Sequence, residues 1–213
     1  MSDRRQRLAA AHLYLVCDAL KDSFLEAALR GGVEIVQLRM KGAEDEEVLS
    51  AARRFRYQTT RYGALLVIND RPDLAVAADA DGAHVGQDDI PVVDARRILG
   101  ADRLLGVSTH SPDQIDTATR ADVDYIGVGP VNETPTKPGR PAVGLELVRY
   151  AAARTAIPFF AIGGISPDNV AAVRDAGAQR VAVVRALSES EEPERAARRL
   201  RQALTQEATV GAA

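Results

Sequence analysis

Pro158-Phe159-Phe160-Ala161-Ile162-Gly163-Gly164-Ile165-Ser166-Pro167 reads as a strand, a turn and a helix start in succession. The apolar run Pro158 to Ile162 lacks the polar alternation of a half-exposed strand, as expected when protein covers both strand faces. Gly163-Gly164 suits a tight turn, and Ser166 before Pro167 reads as an N-cap followed by proline at the first helical position. The same succession recurs along the chain. Strands are expected to begin near Leu13, Val33, Ala64, Gly82, Leu104, Val123, Pro158 and Gln179. Helices are expected over Ser23–Arg30, Asp45–Arg61, Asp73–Ala78, Val92–Leu99, Pro112–Arg120, Leu145–Arg154, Pro167–Ala176 and Pro193–Thr205. Eight strand–helix pairs in so short a chain predict an α/β fold, a single-domain TIM (β/α)8 barrel, with a doubly wound sheet as the alternative. The expected organisation is an N-terminal segment 1–12, a barrel 13–205 and a frayed C-terminal tail 206–213.

Bulk properties agree with one domain. The 213 residues (22.8 kDa) carry 46% hydrophobic and 27% charged side chains, an ordinary globular balance. A formal net charge of -3 supplies no field for wrapping nucleic acid. The single cysteine, Cys17, excludes an internal disulfide framework, and its place in Leu13-Tyr14-Leu15-Val16-Cys17 reads as a buried strand thiol. The first residues lack a signal-peptide core, and no apolar run approaches the roughly 18 residues that span a bilayer. These features lead to the expectation of a cytoplasmic protein with no membrane or nucleic-acid partner. Self-association into a homo-oligomer is compatible with them.

Polar residues gather where the expected strands end. Gln37, Arg39 and Lys41 follow Val33-Glu34-Ile35-Val36, and alternate residues of an extended segment point the same way. Arg39 offers a planar fork to phosphate oxygens and Lys41 a compact charge. Glu34, three residues before Gln37, should face the helices instead. Asn69 and Asp70 end the third strand, and Gln87, Asp88 and Asp89 follow the fourth. Asp70 and Asp89 suit a hard divalent cation, with Asp88 as a rival to Asp89 and Asn69 as an orienting or ligand-binding amide. Asp79 and Asp81 read as turn residues.

Later in the chain, Ser108 and His110 follow the fifth strand; no nucleophile elbow surrounds Ser108, which reads as a ligand or helix-start contact rather than part of a hydrolase triad. The proline-rich stretch Gly129 to Gly139 offers Thr134, Thr136 and Lys137 to a diphosphate. Gly164, with the main chain at Val183 and Val184, suits a phosphate cradle after the last two strands. His84 reads as a lumen or packing residue, and Tyr14 and Tyr125 as core residues with wet hydroxyls.

Taken in order, several segments resemble the thiamine phosphate synthase family from Leu13 to about Leu187. The earlier ones are Gln37-Leu38-Arg39-Met40-Lys41, Ile68-Asn69-Asp70-Arg71, His84 to Asp89 and Gly106 to His110. The later ones are Gly129-Pro130-Val131, Thr134-Pro135-Thr136-Lys137, Ile162-Gly163-Gly164-Ile165 and Val183-Val184. The resemblance implies a TIM barrel that couples 4-amino-2-methyl-5-hydroxymethylpyrimidine diphosphate with 4-methyl-5-(2-hydroxyethyl)thiazole phosphate or its carboxylated form. It implies that Gln37, Arg39, Lys41, Asn69 and Lys137 contact the pyrimidine diphosphate, and that Ser108 contacts the departing diphosphate. It further implies Mg²⁺ as cofactor on Asp70 and Asp89, and thiazole phosphate at Thr134, Thr136, Gly164 and the amides around Val184. Arg39, Lys41, Ser108 and Lys137 would carry the catalytic charge stabilisation. Asn132-Glu133 and Arg185 depart from the family's usual residues. The alternatives are a thiazole tautomerase-like enzyme and a non-catalytic barrel that binds thiamine phosphate.

Overall fold

The computed structural model describes residues 3–134 and 141–205. The first half runs α1 (Asp3–Ala10), β1 (Leu13–Cys17), α2 (Asp22–Arg30), β2 (Ile35–Leu38), α3 (Asp45–Tyr62), β3 (Leu65–Asn69), α4 (Pro72–Ala77) and β4 (Gly82–Val85). The second runs α5 (Val92–Leu99), β5 (Leu104–Thr109), α6 (Pro112–Ala118), β6 (Tyr125–Val128), α7 (Gly144–Arg154), β7 (Phe159–Ile162), α8 (Val170–Asp175), β8 (Val181–Val183), α9 (Arg185–Ser188) and α10 (Pro193–Thr205). The eight strands are all parallel and close into a barrel in sequence order, with Leu13 of β1 opposite Val181 of β8. The TIM barrel expected from the sequence is therefore present, and the doubly wound alternative is not.

Alternation along each strand splits the core in two. Leu15, Val36, Leu66, Val85, Val107, Ile126, Ala161 and Val183 face outward into the shell packed by the helices. Tyr14, Val16, Ile35, Leu65, Val67, Leu104, Tyr125, Phe160 and Ala182 face inward and fill the lumen. Both strand faces are buried, which is why these runs are apolar without alternation. Large and small residues share the lumen. A Cβ at Gly82 would fall 2.7 Å from Cβ of Leu104, and one at Gly106 would press on the Tyr125 ring and lie 2.6 Å from His84 Nδ1.

Local signals set the helices. In α3, Glu44 N donates to Glu47 Oε2 (3.1 Å) in a capping box, and Gly63 ends the helix at φ 68°. Ser111 caps α6 by accepting from Gln114 N (3.3 Å), with Pro112 at the first helical position as expected. The parallel expectation at Ser166-Pro167 needs correction. Residues 167–169 form a turn, Ser166 Oγ accepts from Asp168 N (3.3 Å), and α8 starts only at Val170.

The N-terminal segment holds a helix that the sequence reading lacked. α1 places Leu8 (2% exposed) under the lumen core and two arginines against buried carboxylates. Arg4 Nε lies 3.0 Å from Asp81 and Arg5 Nε 2.6 Å from Asp124. These carboxylates belong to a series, because the residue just before β2, β4 and β6 is acidic each time. Glu34 accepts from Leu13 N (3.1 Å), Asp81 from Leu66 N (2.8 Å) and Asp124 from Leu105 N (2.8 Å). Each pairs with arginine: Glu34 with Arg201 (3.1 Å), Asp81 also with Arg56 (3.0 Å), Asp124 also with Arg96 (2.7 Å). Asp81 is thus a buried anchor of the barrel floor and not a turn residue. The position before β8 breaks the series with Arg180, whose Nη2 donates to Ala9 O (2.7 Å).

Candidate active site

The carboxyl ends of the strands form the mouth of the barrel, where TIM-barrel chemistry is placed. A cavity of about 250 Å³ opens there. Its walls include Gln37, Arg39, Asn69, Ser108, Thr134, Gly164, Val183 and Val184, so the structure brings together most of the residues singled out from the sequence. Thr136 and Lys137 lie outside the described residues. The Val183 side chain is 2% exposed in the outer shell, which leaves its main chain to the cavity in keeping with the expectation.

Lys41, Asp70 and Asp89 stand beside this cavity. β2 ends at Leu38, and Lys41 falls in the following turn with Nζ 3.2 Å from Asp70 Oδ2. Asp70 has a left-handed backbone (φ 59°), a conformation asparagine and aspartate tolerate better than most residues. Burial raises the Asp70 carboxyl above its ordinary range, and its hydrogen bond with Asp89 adds to this, while Lys41 opposes it. Asp89, exposed like Asp88, has Oδ2 accepting from Gly86 N (2.7 Å) and shares a hydrogen bond with Asp70, which ties it to the pair. Two carboxylates forced together, one resisting ionisation, form a donor set that a hard cation such as Mg²⁺ would relieve. Among the described residues no third His, Cys, Asp or Glu joins them, so the remaining ligands would be water or substrate oxygens.

Gly163 (φ 111°) and Gly164 (φ 58°) turn away from β7 where no side chain fits. A Cβ at Gly164 would meet Asn132 Cβ at 2.8 Å and Glu133 O at 3.0 Å. Asn132 Nδ2 donates to Gly163 O (3.2 Å) and Asn169 Nδ2 to Gly164 O (2.8 Å), so these carbonyls are held away from an incoming anion. Opposite them, α9 begins: its first internal hydrogen bonds come from Leu187 and Ser188 to Val184 O, leaving the amides of Arg185 and Ala186 ahead of the ladder. Arg185 turns its guanidinium to Glu189 (2.7 Å).

The cavity floor holds residues whose role the sequence did not disclose. The Tyr14, Tyr125 and His84 side chains are 2%, 0% and 8% exposed, so the tyrosine hydroxyls are not wet but bonded to each other at 2.9 Å. Burial raises both phenol groups, so each keeps its proton. Gln37 Nε2 donates to Tyr14 OH (2.6 Å), and His84 joins Tyr125 OH (Nδ1, 3.3 Å) to Ser108 Oγ (Nε2, 2.9 Å). No hydrolase triad is built: the partner of Ser108 is His84, whose other nitrogen meets a tyrosine, and His110 Nδ1 is bonded to Gly129 O. Cys17 is 3% exposed and burial pushes its thiol up, as expected of an inert strand cysteine.

The model of the thiamine monophosphate synthase family matches residues 13–187. The chain belongs to this family. It is 50% identical over 192 residues to a thiamine-phosphate synthase of Nostoc punctiforme, covering 89% of this chain and 55% of that protein. It is also 50% identical over 215 residues to a thiamine-phosphate synthase of Mycobacterium bovis, covering 93% of this chain and 97% of that one. The chain thus spans about half the length of the first of these relatives and nearly all of the second. A solved thiamine phosphate pyrophosphorylase from Pyrococcus furiosus superposes with a TM-score of 0.85 at 32% identity, covering 94% of this chain and 96% of that one. Among the described residues of this family member no helix is long and apolar enough to cross a membrane.

Proposed function

We propose that this chain joins 4-amino-2-methyl-5-hydroxymethylpyrimidine diphosphate to 4-methyl-5-(2-hydroxyethyl)thiazole phosphate, or to its carboxylated form. The products are thiamine phosphate and diphosphate. The observation that carries the reading is the juxtaposition at one mouth of a cation–carboxylate set (Arg39, Lys41, Asp70, Asp89), an aromatic-floored cavity and a glycine cradle. One substrate brings a diphosphate to the first, a flat ring to the second, and the other brings a monophosphate to the third.

In the proposed reaction the bond between the exocyclic methylene and the diphosphate oxygen breaks, and its electron pair leaves with diphosphate. The thiazole nitrogen lone pair forms the new carbon–nitrogen bond. Arg39, Lys41 and Ser108 hold the diphosphate and stabilise the charge that builds on it. Gln37 and Asn69 orient the pyrimidine, while Thr134, Gly164 and the main chain at Val183 and Val184 hold the thiazole phosphate on the reacting side. Lys137 would assist at the diphosphate and Thr136 at the thiazole phosphate. Mg²⁺ held by Asp70 and Asp89 would neutralise diphosphate oxygens. Tyr14, Tyr125 and Phe160 wall the lumen below the reacting carbon and keep water from it. A thiazole tautomerase has no use for paired carboxylates beside two cations, and a merely ligand-binding barrel would not turn over.

Mass-detected formation of thiamine phosphate from the two purified precursors tests this. Product that requires both precursors and Mg²⁺ is expected. A folded protein that binds thiamine phosphate but makes none would overturn the reading in favour of a non-catalytic barrel.

A further inference from the structure

Five side chains cross the lumen beneath the cavity in one unbroken line: Gln37, Tyr14, Tyr125, His84 and Ser108. They come from β2, β1, β6, β4 and β5, and the three central members are almost fully buried. The two ends, Gln37 and Ser108, both line the cavity. Each tyrosine hydroxyl has one proton to give, and each ring nitrogen of neutral histidine either gives or accepts. A line of such groups is satisfied only when every bond runs the same way. Any fault leaves a buried proton without an acceptor, or two protons facing each other, at the cost of an unmade buried hydrogen bond.

With His84 neutral, two arrangements satisfy every bond along the line. In the first, the Gln37 amide donates to Tyr14, Tyr14 to Tyr125, Tyr125 to His84 Nδ1, and His84 Nε2–H to Ser108. Gln37 then presents its carbonyl oxygen to the cavity, and Ser108 keeps its own proton for a ligand. In the second, every bond is reversed: Ser108 spends its proton on His84, and Gln37 presents its amide hydrogens. The structure has Gln37 Nε2 as the donor, which is the first arrangement.

We propose that this line is a relay that couples hydrogen-bond polarity at Gln37 to polarity at Ser108, so that an acceptor at one end of the cavity enforces a donor at the other. Tyr14, Tyr125 and His84 are positioning residues in it. The relay deepens the functional reading above and rests on it for the choice of ligand. A molecule with an N–H donor at the Gln37 end and an anionic oxygen at the Ser108 end is matched twice by one arrangement. An aminopyrimidine diphosphate is such a molecule. A ring with a carbonyl in place of the amino group would turn Gln37 around and, through the relay, withdraw the Ser108 proton from the anion.

The strands make room for the line. A Cβ on Gly106 would lie 2.6 Å from His84 Nδ1, and one on Gly127 would lie 3.5 Å from His84 Cε1. Phe160 packs edge-on against both tyrosines, with ring centroids 5.3 Å and 5.7 Å away, and offers the hydroxyls no competing partner.

The test is Gln37→Glu, studied at a pH where the introduced carboxyl is ionised, as its ¹³C shift reports. A carboxylate only accepts, so it forces the second arrangement. Ring-¹⁵N NMR of the ligand-free protein, which has 3 histidines to assign, reads the His84 tautomer directly. The expected change is from Nε2–H in the wild type to Nδ1–H in the variant. Inorganic diphosphate binding, measured by calorimetry with Mg²⁺, should weaken roughly tenfold beyond any loss the same substitution causes in a Tyr14→Phe background, where the line is cut. Should Tyr14→Phe fail to fold, Tyr125→Phe cuts the next link. An unchanged tautomer, or an equal loss of diphosphate affinity in both backgrounds, overturns the relay. A wild type that binds no diphosphate would sink the functional reading instead, and the tautomer result would still decide the relay.

Discussion

Replacing Asp81 with alanine should destabilise the barrel while sparing the mouth. The side chain is 4% exposed and holds three partners: Arg4 Nε at 3.0 Å, Arg56 Nη1 at 3.0 Å and Leu66 N at 2.8 Å. Removing one partner of a buried ion pair costs about 3–5 kcal/mol, mostly from the charge left behind. Both arginines are partly exposed, at 29% and 23%, and Arg56 keeps Asp79 O (3.1 Å) and Thr60 Oγ1 (3.2 Å), so water and these groups absorb part of that cost. The stranded Leu66 amide adds an unmade buried hydrogen bond of about 1–3 kcal/mol. A total near 3 kcal/mol follows, and for a domain of this size each kcal/mol lowers Tm by roughly 2–4 °C, giving a fall of about 6–12 °C. Asp81→Asn keeps an acceptor for Leu66 and should lose about half as much. Calorimetric melting gives these values, and diphosphate affinity at a temperature where both proteins are folded should be unchanged, because Asp81 lies at the end of the barrel opposite the mouth. A fall in Tm below about 2 °C for Asp81→Ala would refute the claim that this carboxylate anchors the floor.

At the mouth, Asp89→Ala should lower turnover at limiting Mg²⁺ on the order of 10²-fold with the melting temperature nearly kept; wild-type turnover there would remove Asp89 from the metal site. Asp70→Asn should raise the stability of the metal-free protein at neutral pH. Burial and Asp89 hold the Asp70 proton above the ordinary carboxylate range, so the folded state binds more protons than the unfolded one across that interval. The stabilising contribution of protonated Asp70 is thus lost as pH rises through its raised pKa, and the variant's advantage should vanish once the pH falls below the ordinary range; melting curves across pH that show a constant offset would contradict this. Gly164→Ala places a methyl 2.8 Å from Asn132 Cβ at φ 58°, and should raise KM for the thiazole phosphate several-fold, about 1–2 kcal/mol of left-handed strain setting the scale. Equal changes in KM for both substrates would argue against a cradle confined to the thiazole end.

The barrel and its mouth were legible because two simple signals coincide in this chain. Parallel strands buried on both faces must be apolar throughout, so runs such as Leu65 to Ile68 stand out, and the polar residues that interrupt them, Asn69-Asp70 or Gln37 and Arg39, mark where the strands leave the core. What stayed hidden depends on closure. Tyr14 and Tyr125 are 111 positions apart and meet only because β1 and β6 face each other across a closed lumen, so no local pattern distinguishes their hydroxyls from solvated ones. Asp81 looked like a turn residue because it sits next to Gly82, and its function depends on Arg4 and Arg56, two charges brought from α1 and α3. A signal did exist, since Glu34, Asp81 and Asp124 each directly precede an even-numbered strand and cap an amide of the strand before it. The helix start at Ser166-Pro167 misled for a local reason: Asn169 Oδ1 accepts from Ser166 N (2.9 Å), stabilising a turn that delays α8 to Val170.

The lumen also explains why fold and site share residues here. A barrel of this size has an interior that side chains just fill, so a polar line across it must displace apolar volume. Two tyrosines and a histidine fit because β4, β5 and β6 bring Gly82, Gly106 and Gly127 to inward positions, where any Cβ at Gly106 would strike Tyr125. The lower lumen is apolar at Leu8, Ile35, Leu65 and Leu104, while the buried polar side chains Gln37 and His84 sit in the layer that touches the cavity. Hydrogen bonds in that layer link its side chains to one another, which gives the cavity a connected floor of donors and acceptors. Strand glycines that would weaken an ordinary sheet thus define the floor of the site. Gly106→Ala should for that reason damage stability and ligand binding together, unlike Asp81→Ala, which separates them.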